Sequence, residues 1–289
     1  MASGSTNAKP RVLVPGGRGM LGSAVTALLE SRGYPVTAVD LPEFDITRTS
    51  DIRLWMAQTK PLAIVNCAAM TAVDAAETEQ ELALAVNRDG VANLVQAAAA
   101  VGAPFLHLST DYVFNGTKAG SWTEDDAVDP VNFYGRSKLE GERSVLNYEH
   151  GTVVRTSWLF GPHGSNFVAT IAKKLKAGET LEVVDDQRGC PTSTAALAKA
   201  LLTLLEAGAP GLYHFCQPPA VTWFAFARAV ADSLGVPADR VRPTTTDKFP
   251  RPARRPANSV LATAKFERST GAPVPSWQGD LMNYLAGEL

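Results

Sequence analysis

The residues best equipped for chemistry in this chain are a phenol and an ammonium four positions apart, in Tyr134-Gly-Arg-Ser-Lys138. On a helix that spacing puts both on one face. A lysine ammonium beside a tyrosine stabilises the phenolate, so the phenol can give its proton to the alkoxide formed when a ketone is reduced. Upstream, Ser109-Thr110-Asp111-Tyr112 closes an apolar run. A Thr110 hydroxyl there can polarise a carbonyl, although Ser, Thr and Asp are also the usual residues of a loop start. Such a reduction needs a hydride source. Gly16, Gly19 and Gly22 recur every third residue between an apolar run and an amphipathic one. In that setting glycines let backbone N–H groups at a helix start approach a dinucleotide pyrophosphate. Asp40, closing the next apolar run, is placed to accept from adenosine ribose hydroxyls, which favours NADH. Arg18, inside the glycine turn, either receives a 2′-phosphate and favours NADPH or is a solvated loop charge.

These side chains need a scaffold that brings them to one edge. Strand-like runs at 11–14, 35–40, 62–69, 104–110 and 152–160 alternate with helical spacing over 19–31, 79–101 and 134–148. That rhythm predicts an α/β fold, a Rossmann-type doubly wound parallel sheet whose ligands bind at the strands' carboxyl ends. Beyond Gly161 the order loosens into a helix near 166–177, a strand at 181–185, a helix at 194–207 and a strand at 212–216. We read a dinucleotide-binding domain over 10–160 and a smaller C-terminal α/β substrate lobe over 161–289, with about 186–207 returning to the first domain. The proline- and arginine-rich segment 242–256 should be an ordered loop or extended strand.

Composition narrows the classes further. The chain has 289 residues, 45% hydrophobic and 19% charged, with a net charge of −2, which fits neither a disordered chain nor a coiled coil. There is no basic block to track a nucleic-acid backbone, and the most apolar long stretch, Val91 to Leu108, is too polar and alanine-rich for a membrane span. Cys67, Cys190 and Cys216 show no paired spacing, which fits a reducing compartment, and cytoplasm is the expected location. The opening MASGSTNAKPR has no apolar centre and reads as a loose tail rather than a secretory signal. The four histidines are scattered, so no transition-metal site is expected.

The combination resembles the extended short-chain dehydrogenase/reductase family, and within it the dTDP-4-dehydrorhamnose reductases. The segments Ala69-Met-Thr-Ala-Val-Asp74, Ser109-Thr-Asp-Tyr-Val-Phe114, Arg155-Thr-Ser-Trp158, Asp186-Gln-Arg-Gly-Cys-Pro-Thr192 and Arg251-Pro-Ala-Arg-Arg-Pro256 carry the likeness, in that order, along nearly the whole chain. The resemblance implies reduction of the C4 ketone of a dTDP-linked 4-keto-6-deoxy sugar by NADPH or NADH, giving dTDP-L-rhamnose, with Tyr134 as proton donor. It also implies that Thr110 binds the substrate oxygen and that Lys138 holds the nicotinamide ribose. The cofactor would be lined by Gly16, Arg18, Gly19, Met20, Leu21, Gly22, Asp40, Asp45, Ile46, Ala68 and Ala69, with Asp45 and Ile46 near the adenine. Substrate contacts would come from Thr71, Val73, Asp111, Trp158 and Arg254. Several of these have plain alternatives: Trp158 as core, Thr71 to Asp74 as a helix cap, and Arg254 or Arg255 as partners of surface acids. Some relatives hold Mg²⁺ through glutamates at a dimer contact. Alanines stand at the matching positions, Ala24 and Ala195, so no metal is expected and the state is a monomer or a homodimer. Two other readings stand beside this one: a reductase of another nucleotide-linked 4-ketohexose, and a non-catalytic regulatory beta subunit of methionine adenosyltransferase, which shares the fold.

Overall fold

Val12–Pro15 (β1) alternates its side chains between two apolar faces, as a strand covered on both sides must. The computed structural model describes residues 9–287, so most of the opening tail lies outside the described residues. After β1 come α1 (Met20–Ser31), β2 (Val36–Val39), α2 (Thr49–Thr59), β3 (Ala63–Asn66), α3 (Gln80–Leu84), α4 (Val91–Ala99), β4 (Phe105–Thr110), α5 (Phe133–Leu146) and β5 (Gly151–Thr156). The remainder holds β6 (Leu159–Phe160), α6 (Phe167–Lys176), β7 (Leu181–Val184), β8 (Arg188–Gly189), β9 (Thr192–Ser193), α7 (Thr194–Ala207) and β10 (Gly211–His214). It ends with β11 (Val221–Thr222), α8 (Trp223–Ser233), β12 (Val241–Thr244), α9 (Ala264–Thr270) and α10 (Trp277–Ala286).

Six parallel strands form one sheet in the order β10-β5-β4-β3-β1-β2. Chain direction across the sheet reverses between β1 and β3, and a crevice opens there at the strands' carboxyl ends. Val12, Val14, Val65 and Leu106 pack with α1 and α7 on one face, while Leu13, Ile64, Phe105 and Val153 pack with α2 and α4 on the other. A separate apolar cluster of Phe160, Ile171, Phe226, Val230, Trp277 and Leu281 joins α6, α8 and α10 and the β7–β12 pair.

The structure corrects the sequence reading in several places. α2 is absent from that reading; its apolar stripe is short, Ile52, Trp55 and Met56, with only Ile52 fully buried. The long helix expected over 79–101 is present as continuous helical backbone from Gln80 to Ala99, α3 and α4 being joined through one wider helical turn at Ala85–Gly90. In that turn the Asn87 side-chain amide bonds the Met70 backbone and the Ser137 hydroxyl. The run 152–160 is likewise two strands, broken at Ser157 and Trp158, where Trp158 takes a φ of 48°. Within the 186–207 segment expected to return to the first domain, α7 packs on the main sheet beside α1, and the sheet's sixth strand, β10, follows just beyond it. Segment 242–256 is part strand (β12), part irregular chain, with one short helical turn at Thr246–Lys248.

Candidate active site

Glycines shape the crevice at its centre. Gly16 turns the chain after β1 with a φ of +72°, and a side chain there would collide with the backbone of Ala68, just past β3. Gly22 lets α1 pack onto that turn, since an added Cβ would stand 2.0 Å from the Gly16 carbonyl oxygen. No side chain caps α1, which leaves its first N–H groups to the crevice. A cavity of about 360 Å³ beside the turn is lined by Gly16, Gly19, Asp40, Asp45, Ile46, Ala68 and Ala69, together with Leu41, Phe44, Met70, Leu82 and Val86.

The polar groups of this cavity are already arranged by local bonds. Asp40 accepts the backbone N–H of Arg18 at 3.0 Å and that of Leu41 at 2.9 Å. The Arg18 guanidinium pairs with Glu43 and is not among the lining residues. Asp45 takes the N–H and hydroxyl of Thr47, which fixes its carboxylate at the cavity wall.

A second cleft of about 630 Å³ adjoins the first through Gly19, Cys67 and Ala69. It gathers Met20, Leu21, Gly22, Thr71, Val73, Thr110, Asp111, Tyr134, Lys138 and Trp158 from elements spread along the chain. α5 begins where Asn132 caps it by accepting the Gly135 N–H at 2.8 Å, so Tyr134 and Lys138 fall on its first turns. Gly135 lets that turn touch the chain beyond β4, with the Tyr112 carbonyl oxygen 2.1 Å from where a Cβ would be.

Burial, above all, sets the electrostatics. The Tyr134 phenol is pushed above its ordinary value by burial and by the Asp111 charge, with the Thr110 hydroxyl acting against them. Lys138 is brought down to about 8 by the same burial, and its Nζ lies 3.3 Å from Nε2 of the buried His107. Asp111 is raised to about 7, again chiefly by burial. One of its oxygens accepts the Thr110 hydroxyl at 3.0 Å and the other has no partner among the described residues.

A third cavity, about 800 Å³, opens from the second past Tyr112, Phe167 and Trp223. It is walled by Lys174, Gln187, Thr246 and the run Phe249 to Arg255. The two arginines left open by the sequence now separate. Arg255 pairs with Asp74 and holds that carboxyl below the usual range, while Arg254 is exposed at the cavity. Asp74 caps no helix, and it also accepts the Ala253 N–H at 3.2 Å. Trp158 is a cleft wall rather than core, stacked on Trp223. Sequence reading missed Trp223, Phe167, Tyr112, Cys67 and Lys174. Trp223 opens an amphipathic helix and Phe167 another, so nothing local set them apart from core aromatics. Ala24 and Ala195 line one small groove between α1 and α7, and the described residues hold no cluster of His, Cys, Asp or Glu suited to a metal.

A parallel sheet with a glycine turn at its switch point, opening onto a buried Thr-Tyr-Lys group, defines an NAD(P)-dependent oxidoreductase of the short-chain dehydrogenase/reductase kind. The sequence pattern of the RmlD substrate binding domain matches residues 10–288. A dTDP-4-dehydrorhamnose reductase of Streptomyces griseus is 44% identical over 280 residues, covering 94% of this chain and 92% of that protein. A dTDP-4-keto-6-deoxy-D-glucose reductase of Streptomyces niveus is 38% identical, with 92% and 93% covered. The crystal structure of a Bacillus anthracis dTDP-4-dehydrorhamnose reductase in complex with NADP superposes with a TM-score of 0.92 at 34% identity, covering 96% of this chain and 99% of that one. The chain belongs to the dTDP-4-dehydrorhamnose reductase family.

Proposed function

We propose that the protein reduces the C4 ketone of dTDP-4-dehydro-6-deoxy-L-mannose to dTDP-L-rhamnose. The observation that carries this is the convergence of Thr110, Tyr134 and Lys138 on one cleft between a dinucleotide-shaped cavity and an arginine-lined one. The cofactor-side residues fit a dinucleotide: the Gly16 turn and the uncapped α1 leave room and N–H donors for a pyrophosphate, and Asp40 faces the cavity where a ribose would lie. A bound nicotinamide supplies hydride. Tyr134 holds a proton at its Oη and gives it to the C4 oxygen, and Thr110 orients that oxygen through its hydroxyl. Lys138 positions the nicotinamide ribose. Gly19, Met20, Leu21 and Ala69 line the cofactor's path, with Gly22 letting α1 approach it, and Asp45, Ile46 and Ala68 enclose its adenine end. Thr71, Val73, Asp111 and Trp158 flank the sugar, and Arg254 faces the diphosphate or nucleotide from the third cavity.

The coenzyme is NADH or NADPH. Asp40 supports NADH, and Arg18 would have to leave Glu43 to receive a 2′-phosphate. The division of labour follows the architecture, with 10–160 and the returning β10 holding the cofactor and most of 161–289 holding the sugar nucleotide. A second reading, a different dTDP-4-keto sugar, has support in the 38% identity to the Streptomyces niveus protein. The intact Thr-Tyr-Lys group in the cleft argues against a purely regulatory subunit. Incubation with dTDP-4-dehydro-6-deoxy-L-mannose and each coenzyme, followed by nicotinamide absorbance and product identification, tests the proposal. Loss of absorbance with dTDP-L-rhamnose as product is expected, and a different epimer or no turnover would overturn it.

A further inference from the structure

Trp158 is held in a conformation its own backbone disfavours. Its φ of 48° lies in the left-handed region, which a bulky residue adopts only where its surroundings hold it there. Those surroundings grip the ring from both sides. Trp223 lies parallel to it, centroids 3.5 Å apart and planes within 7°. Gly189, in β8, is so close that an added Cβ would stand 2.5 Å from Cε2 of Trp158 and 2.7 Å from both Cζ2 and Nε1. Because the ring-fusion carbon is the nearest atom and its two neighbours are equidistant, Gly189 sits above the ring plane rather than at the rim. Trp223 fills one face, so Gly189 covers the other.

Phe167 leans on Trp223 at 4.5 Å, with the rings inclined at 49°, and backs the stack. All three aromatics line the cleft that holds Tyr134, and Trp223 and Phe167 also line the third cavity. The stack therefore stands where the two spaces meet. With both faces covered, Trp158 meets the cleft at the perimeter of its ring, and that perimeter carries the indole N–H, a donor with no acceptor role that bonds no group among the described residues.

We propose that Trp223 and Gly189 clamp Trp158 edge-on to the cleft, so that its indole N–H donates to an oxygen of the sugar ring or its hydroxyls, which makes Trp223 and Gly189 positioning residues for recognition of the sugar. The proposal rests on the reductase reading above and deepens it. It assigns a purpose to the glycine of Asp186-Gln-Arg-Gly189, a position whose side chain never touches substrate, and to a tryptophan that sequence reading passed over.

Two face-to-face indoles couple their excited states and give a paired positive and negative band in circular dichroism, so the clamp has its own spectroscopic signature. We expect this couplet in the wild type and its loss in Trp223→Ala, Trp223→Phe and Trp158→Phe. Losing one hydrogen bond to the sugar should raise KM for the dTDP-4-keto sugar about tenfold in Trp223→Ala, Gly189→Ala and Trp158→Phe. KM for the coenzyme should stay unchanged in these variants, and the affinity for dTDP alone should stay unchanged in Gly189→Ala and Trp158→Phe, which leave the third cavity's lining intact. Trp223→Phe, which keeps a ring against Trp158, should recover most of the sugar KM without recovering the couplet. A wild type without the couplet, an unchanged sugar KM in Trp223→Ala, or an equal loss of dTDP affinity in Gly189→Ala and Trp158→Phe would each overturn the clamp. Failure of the underlying reading is distinct: the wild type itself then neither binds nor reduces a dTDP-4-keto sugar.

Discussion

Tyr134 and Asp111 share one pocket and restrain each other. Burial and the neighbouring carboxylate hold the phenol's proton in place, which suits a group that must keep it until an alkoxide develops. Tyr134→Phe should retain coenzyme affinity and lose on the order of 10²–10⁴ in kcat, because only the proton transfer is removed. Coenzyme titration beside steady-state kinetics checks this, and wild-type turnover would refute the assignment. Asp111 carries a cost that pH reveals. Its carboxyl is raised to about 7, so below the usual carboxylate pKa both folded and unfolded chains hold the proton and folding is unaffected. As pH rises from there to about 7 the unfolded chain ionises first, and the wild type loses stability on the order of a few kcal/mol. Asp111→Asn removes the ionisation, so its stability relative to wild type should climb between about pH 4 and 7 and then level off. Denaturant unfolding across that range measures it, and a flat difference would show that Asp111 ionises in the folded chain at the same pH as in the unfolded one.

At the scale of elements, α5 decides whether the acid pair is in place. Glu142, one turn beyond Lys138, meets Arg155 of β5 in a buried two-bond pair at 2.9 and 2.6 Å. This fixes the helix to the sheet from below. Glu142→Gln should cost about 3–5 kcal/mol, because a guanidinium remains buried without its counter-charge. Thermal unfolding would show it, and a shift within that of surface substitutions would mean water reaches Arg155. Asn87 fixes the same helix from the side, joining the Met70 backbone to Ser137. Asn87→Ala should cost about 1–3 kcal/mol for the polar groups it strands. It should also raise KM for the coenzyme, since Met70 walls the adenosine cavity. An unchanged coenzyme KM alongside reduced stability would confine Asn87 to a structural role.

Across the whole molecule, three cavities form one continuous groove from Asp45 to Arg254, with the Thr-Tyr-Lys group in the middle. Segment 249–255 closes one end and is joined to the sheet side through Arg255 and Asp74. The two ligands should therefore leave separate footprints in hydrogen exchange. NADH should slow amides around 40–46 and 66–70, and dTDP should slow those around 246–255, with neither ligand protecting the other's end. Protection of 246–255 by NADH alone would show that the segment serves the cofactor instead.

Strand and helix periodicity, glycine spacing and the Tyr134–Lys138 pair are short-range properties, so the sequence by itself determined the doubly wound sheet and the acid pair on its helix. The same local logic failed where contacts came from afar. α2 shows a stripe of only Ile52, Trp55 and Met56 among polar residues, the helix over 79–101 widens by one turn where Asn87 bonds a distant loop, and the strand over 152–160 is interrupted where Trp158 is gripped by Gly189 and Trp223. Tertiary structure alone decided that Arg255 is paired with Asp74 while Arg254 stands exposed at the cavity, and that burial is the largest influence on the Tyr134 phenol. Desolvation and ring stacking depend on which residues surround a group in space, and chain spacing carries no record of neighbours so far away along it.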